Sequence, residues 1–189
     1  MTYLDYSATT MINKDVLKEI GNNLFKEANK EELKEYKEKI QKILNTSLEV
    51  NITSGSTESN NWALKGICQD NPNIKNKIIT TEMEHSSINE TLEYLKTKGY
   101  EVIYSPLKDG VIDIESLEKI LTKEVALITV ASVNSETGTL QPVEKIAKLS
   151  KKYKIPFHCD MTQSIGKINI PLENIDLISL SAHKIYGPK

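Results

Sequence analysis

A chain of 189 residues, 39% hydrophobic and 26% charged, can bury one sizeable core and is too apolar to stay unfolded, so a single medium-sized domain is expected. Its formal charge of -2 and pI of about 6.0 give no net attraction to nucleic acid or to an anionic membrane surface. The first ten residues hold no basic segment followed by an apolar run, and no stretch approaches the roughly 20 apolar residues of a spanning helix, so a cytoplasmic protein is the expectation. Cys68 and Cys159 are too few for a disulfide framework or a four-thiolate metal site and read as reduced, small hydrophobes.

In chain order, residues 15–44 read as one or two amphipathic helices, with Leu33, Tyr36, Ile40 and Leu44 on one stripe and lysine and glutamate on a solvated face. A short apolar strand over 49–53 then feeds Ser54-Gly55-Ser56-Thr57-Glu58-Ser59-Asn60-Asn61 and a helix over 59–68. A strand over 77–80 is followed by Glu82-Met83-Glu84-His85-Ser86-Ser87 and a helix over 88–98. A strand over 101–104, a helix over 113–121 and a strand over 125–130 lead to Asn134-Ser135-Glu136-Thr137-Gly138 and a helix over 142–153, with Pro142 suited to its first turn. Strands over 155–160 and 176–180 complete the alternation, the latter running into Ser181-Ala182-His183-Lys184. The class is α/β: a three-layer, mostly parallel sheet with helices on both faces and functional loops at the carboxyl ends of its strands.

Those loops carry the chemistry. Small hydroxyl residues and a glycine between strand and helix let backbone N–H groups face a phosphate, although a plain capped turn has the same composition. The loop is no Walker motif, since no Gly-Lys-Ser/Thr follows. Asp160 ends a buried-looking strand, where it can pair with a protonated ring nitrogen or simply cap a turn. Lys184 ends the next strand, so both side chains can reach one ring from the same end of the sheet. A lysine amine condenses with an aldehyde cofactor, and Ser181 and His183 beside it suit that cofactor's phosphate. His85 can stack on a flat ring or move protons, or be a loop histidine at a helix cap. Three scattered histidines with no second ligand at metal spacing do not make a metal site. All 24 cationic side chains are lysine, so the bidentate fork that arginine offers a substrate carboxylate is absent, a pattern that coding bias toward lysine also produces.

The ordered set Tyr3-Leu4-Asp5-Tyr6-Ser7-Ala8-Thr9-Thr10, Thr53 to Asn61, Glu84-His85-Ser86-Ser87, Asn134-x-Glu136-x-Gly138-x-x-Gln141-Pro142, His158-x-Asp160-x-x-Gln163-x-x-Gly166-Lys167 and Ser181-x-His183-Lys184-x-x-Gly187-Pro188-Lys189 closely resembles the cysteine desulfurases. These are class V members of the fold-type I pyridoxal 5'-phosphate (PLP) enzymes. The resemblance implies the large PLP-binding domain over 1–189, a Schiff base and Cα-proton shuttle at Lys184, and an Asp160 contact to the pyridine nitrogen. It further implies a Gln163 bond to the phenolic oxygen, ring stacking and proton transfer by His85, phosphate contacts from Ser56, Thr57, Ser181 and His183, and Asn134 on the substrate side of the ring. Family members convert L-cysteine to L-alanine and pass the sulfur, as an enzyme persulfide, to iron–sulfur clusters or tRNA thiolation.

The departures from the family shape the remaining expectations. The family's nucleophilic cysteine, its carboxylate-binding arginine, the last sheet strand and the small C-terminal domain all follow the lysine motif, and a lysine- and glutamate-rich helix replaces a Gly-Asn-Pro-Ser-Ser loop. Cys159 neighbours Asp160 on a strand and so points to the opposite face, a poor stand-in for the nucleophile. In the family the strand after Gly-Pro-Lys lies between the strand preceding the phosphate loop and the strand preceding the lysine, so a gap in the sheet is expected. Activity is then expected only with a complementary C-terminal polypeptide, as a homodimer or otherwise, with L-cysteine as substrate and a sulfur-acceptor protein as partner. A non-catalytic remnant or interaction fragment, or a fragment of another class V aminotransferase or selenocysteine lyase, are the alternatives.

Overall fold

The computed structural model describes residues 3–27, 29–69 and 75–189; Met1 and Thr2 of the opening segment and Ala28 of the 15–44 stretch lie outside these. Five strands, β1 (Lys77–Thr80), β2 (Glu101–Tyr104), β5 (Val125–Ala131), β6 (Phe157–Asp160) and β7 (Leu177–Ser179), make a parallel sheet in the order β2-β1-β5-β6-β7. Short strands β3 (Leu107–Lys108) and β4 (Val111–Ile112) form a separate antiparallel hairpin.

Strand alternation divides the core in two. Ile78 and Leu127, paired in register, pack with Leu64, Ile88, Leu92 and Leu95 of helices α3 (Ser56–Cys68) and α4 (Ser86–Lys96). Their neighbours Ile79, Ile128 and Val130, with Phe157 and Cys159, face the other way, onto Leu117 of α5 (Ile114–Ile120) and Val143 and Ile146 of α6 (Val143–Tyr153). Because helices cover both faces, the central strands are apolar throughout rather than alternating, and β5 is buried over six consecutive residues, Val125 to Val130. From β1 the chain adds β2 on one side and β5 on the other, so strand order reverses between β1 and β5. Such a switch point opens a crevice at the carboxyl ends of the strands.

Most expected elements recur within two residues, and the differences have local causes. Pro142 caps α6 instead of lying in its first turn. The hairpin was not anticipated; its turn, Asp109-Gly110, has φ of 51° and 78°, the conformation that an Asp-Gly pair favours. Helices α1 (Lys14–Asn23) and α2 (Lys30–Leu44) form as expected, yet neither buries a residue fully. Ile40 and Leu44 instead line a cavity of about 850 Å³, together with Val50, Ile52 and Leu180.

One expected strand is absent: 49–53 pairs with no strand among the described residues. It stands off the free edge of β7 across a cavity of about 610 Å³ lined by Glu49, Asn51, Thr53, Asp176, Ile178 and Trp62. A strand requires a neighbour to take its N–H and C=O groups, and among the described residues none lies within pairing reach, so the apolar pattern alone does not make one.

Candidate functional site

A cavity of about 460 Å³ opens at the carboxyl ends of the strands and is lined by Ser56, Thr57, His85, Asn134, Asp160, Gln163, His183 and Lys184. Ser181 lies just outside, in the wall shared with Ser56, Thr57 and His183. Residues from five separate sequence motifs therefore meet in one place, in loops that follow a strand or open a helix.

Asp160 closes β6 and forms the floor. It is 6% exposed; its Oδ1 accepts the Thr162 backbone N–H at 2.9 Å and its Oδ2 accepts Asn60 Nδ2 at 2.8 Å. Behind it, His158 is fully buried between Thr129 Oγ1 (2.8 Å) and Ser179 Oγ (2.9 Å), a side-chain tie across β5, β6 and β7. Burial pushes its pKa down to about 4, against a smaller opposing pull from Asp160. Glu84 spans the crevice between β1 and β5: its Oε1 accepts the Thr81 hydroxyl at 2.6 Å and its Oε2 accepts the Ala131 N–H at 2.8 Å. Burial raises its pKa to about 7, with Asp160 adding to the rise and the two hydrogen bonds opposing it.

His85 caps α4, where its Nδ1 accepts the Ser87 N–H at 3.1 Å and lies 2.8 Å from Ser87 Oγ. Asn134 is held in its own turn: Oδ1 accepts the N–H groups of Glu136 and Thr137, and Nδ2 donates to Met83 O at 2.7 Å, joining this loop to that of His85.

The walls fit a phosphate. Gly55 (φ 155°, ψ 179°, a conformation open to glycine) turns the chain into α3 and supplies no side-chain cap to its N–H groups. Ser56 and Thr57 open that helix, and Ser181 lies beside Gly55, where an added Cβ would meet Ser181 Oγ at 3.8 Å. Uncapped N–H groups, the positive helix end and neighbouring hydroxyls are the donor set a phosphate takes. On the floor, the Thr162 hydroxyl is buried with no partner among the described residues. Carboxylate below, phosphate donors at one end and an amine at the other fit a phosphorylated pyridine aldehyde.

Lys184 ends a single 3-10 turn (Ala182–Lys184). Its Nζ donates to the carbonyl oxygens of Ser7 and, at 2.6 Å, Ala8, while Gln163 Nε2 donates to the same Ser7 oxygen at 2.9 Å. Burial first, then the nearby Lys167 and Lys189 ammonium groups, lower the Lys184 pKa against the pull of Asp5 and Asp160, which increases the fraction present as a nucleophilic amine. The turn is anchored by the N-terminal segment: Thr10 N–H and hydroxyl both donate to His183 O, at 2.8 and 2.9 Å, and the Tyr186 N–H donates back to Thr10 Oγ1 at 2.6 Å. Tyr186 is thereby held at a φ of 63°, unfavourable for a tyrosine.

Both cysteines lie away from the cavity. Cys159 is fully buried in the core on the α5 and α6 side, with burial pushing its thiol well up, and burial pushes Cys68 up to about 12. Sequence reasoning placed Asn60, Ser87, Glu84 and Thr10 within the motifs but gave none of them a role. Asn60 had a legible signal: it shares the stripe of α3 with Leu64 and Cys68, a polar residue where the periodicity demands an apolar one. Among the described residues no group of three His, Cys, Asp or Glu could hold a metal ion, and no helix is long and apolar enough to cross a membrane.

A profile of the family described as aminotransferase class-V matches residues 2–189. The chain is 39% identical over 203 aligned positions to a cysteine desulfurase IscS of Clostridium botulinum (strain Kyoto / Type A2), covering 99% of this chain and 51% of that protein. It is 40% identical over 206 positions to a cysteine desulfurase IscS of Buchnera aphidicola subsp. Baizongia pistaciae, again 51% of that protein. Among solved structures, a NifS-like protein superposes with a TM-score of 0.90 at 36% identity, and SspA in complex with cysteine with 0.88 at 32%; the chain covers 56% and 59% of them. It thus spans about half the length of the curated relatives it matches.

Proposed function

Since the chain belongs to the aminotransferase class-V family, whose cysteine desulfurase members use pyridoxal 5'-phosphate, we propose that residues 1–189 are the cofactor-binding part of a cysteine desulfurase acting on L-cysteine. The observation that carries this reading is the convergence of Asp160, Lys184 and the uncapped start of α3 on one cavity.

In this reading Ser56, Thr57, Ser181 and His183, with the first N–H groups of α3, hold the phosphate. Asp160 would hold the pyridine nitrogen and Gln163 the phenolic oxygen. The Lys184 amine, released from the Ser7 and Ala8 carbonyls, would hold the cofactor at its aldehyde group by condensation with loss of water, and would carry the substrate's Cα proton. His85 would stack on the ring and assist proton transfer, and Asn134 would contact its substrate side. When bound, the cofactor supplies an electron sink that weakens bonds at the substrate's Cα. A thiol that accepts the sulfur has to come from outside 1–189, because Cys68 and Cys159 are buried away from the cavity. The open edge of β7, facing the cavity in front of 49–53, supports a complementary segment or polypeptide that pairs there.

The experiment is an absorbance titration of the purified chain with PLP, beside Lys184→Ala. A visible band that needs Lys184 and is bleached by borohydride supports the reading. Binding that is unchanged in Lys184→Ala, or no band from a folded chain, overturns it.

A further inference from the structure

His183 stands where the Lys184 turn meets the phosphate wall. It is half-buried and lines both the cavity of Asp160 and Lys184 and the neighbouring one that holds Gly55 and Ser181. Among the described residues its ring makes one hydrogen bond, Nδ1 to Thr9 Oγ1 at 3.0 Å, and Nε2 makes none. A ring not so tied can turn about χ2, and a half-turn would put a carbon where each nitrogen stands. Thr9 is therefore the residue that keeps Nε2 in its place.

Hydrogen counting sets the sense of that bond. The Thr9 hydroxyl has one hydrogen and three acceptors in range: His183 Nδ1 at 3.0 Å, His183 O at 3.4 Å and Thr10 O at 3.5 Å. Both carbonyls lie past the ordinary span of a hydroxyl bond, and His183 O already accepts the Thr10 N–H at 2.8 Å and the Thr10 hydroxyl at 2.9 Å, one for each lone pair. The hydrogen serves Nδ1 first. Burial, then the Lys184 and Lys189 ammonium groups, lower the His183 pKa and so favour the neutral ring. A neutral ring that accepts at Nδ1 carries its proton on Nε2.

We propose that Thr9 is a positioning residue for the phosphate site: its hydroxyl holds the His183 ring and leaves Nε2–H as a side-chain donor beside Ser56, Thr57 and Ser181. The inference rests on the cofactor reading above and adds to it a residue of the N-terminal segment that acts through His183. The next residue, Thr10, holds the backbone of the same turn through His183 O and the Tyr186 N–H. Consecutive threonines thus divide the task, one fixing the main chain and the other the ring.

Absorbance titrations with PLP and with pyridoxal, which lacks the phosphate, separate this role from a general one. Thr9→Val keeps the shape and removes the hydroxyl. It should weaken PLP binding about three- to tenfold, the net worth of one hydrogen bond, and leave pyridoxal binding unchanged. Thr9→Ser restores the hydroxyl and should bind PLP as the native chain does. On a His183→Ala background, Thr9→Val should weaken PLP binding no further. Equal losses for PLP and pyridoxal, a loss that adds to that of His183→Ala, or no loss at all overturns the proposal. Should Thr9→Val not fold, Thr9→Ala is read the same way. If neither aldehyde gives a Lys184-dependent band, the cofactor reading falls, and a titration with inorganic phosphate, followed by the ring-proton resonances of His183, decides the role of Thr9. Phosphate binding that Thr9→Val weakens supports it; phosphate binding that ignores the substitution, or none in the native chain, overturns it.

Discussion

Glu84 and His158 titrate in opposite senses across the same pH range, and stability should show it. Glu84 has a folded pKa of about 7 against an ordinary 4.5, so between those values the folded state holds a proton that the unfolded chain has lost, and stability falls as pH rises. His158 is displaced from 6.5 to about 4, so in that window the unfolded chain binds the extra proton and stability falls as pH drops. At about 1.4 kcal/mol per pH unit, each displacement amounts to about 3 kcal/mol over its full window. Between pH 4.5 and 6.5, where both windows overlap, the two slopes oppose and nearly cancel. Glu84→Gln should unmask the histidine. A glutamine keeps the Ala131 N–H bond through its Oε1, while its Nε2 donates to Thr81 Oγ1, reversing the bond in which that hydroxyl donates to Glu84 Oε1. Urea unfolding at a series of pH values should therefore find the variant equal to the native chain near pH 4.5 and about 3 kcal/mol more stable above pH 7. A difference that stays constant with pH would refute the assignment of a buried, protonated Glu84, whatever the absolute stabilities.

Three further outcomes follow from particular contacts. Thr10→Val strips the Tyr186 N–H of its acceptor and His183 O of one of three donors, and should cost about 1–3 kcal/mol in urea unfolding, with faster amide exchange confined to 182–187. Gly187→Ala would place a Cβ 2.8 Å from the Ala182 carbonyl oxygen, so it should lower the melting temperature and the affinity for PLP together, whereas Gly66→Ala, with open space around it, should lower neither. Neither thiol should react with an aromatic disulfide reagent in the native chain and both should react in denaturant; a fast-reacting native thiol would contradict the burial of Cys68 and Cys159.

The sequence by itself determined the class of fold and the contents of the site. Runs such as 125–130 and 155–160, apolar on both faces and separated by helical spacing, permit little but a parallel sheet covered on both sides, and parallel strands put their loops at one end. Asp160 was legible for that reason, since it closes β6; Lys184 was expected to end the next strand, but β7 stops at Ser179 and the lysine reaches the same end of the sheet on the 3-10 turn beyond it. Two kinds of information were not local. Whether 49–53 becomes a strand depends on a neighbour to pair with, and hydrophobic pattern does not encode who that neighbour is. The hydrogen bonds that run from Asp160 through Asn60 and Ser87 to His85 join residues up to 100 positions apart, atoms that only tertiary packing brings within reach. Likewise, Glu84 and His158 have ordinary sequence contexts; the removal of water around them, a property of the packed interior, sets where they hold their protons.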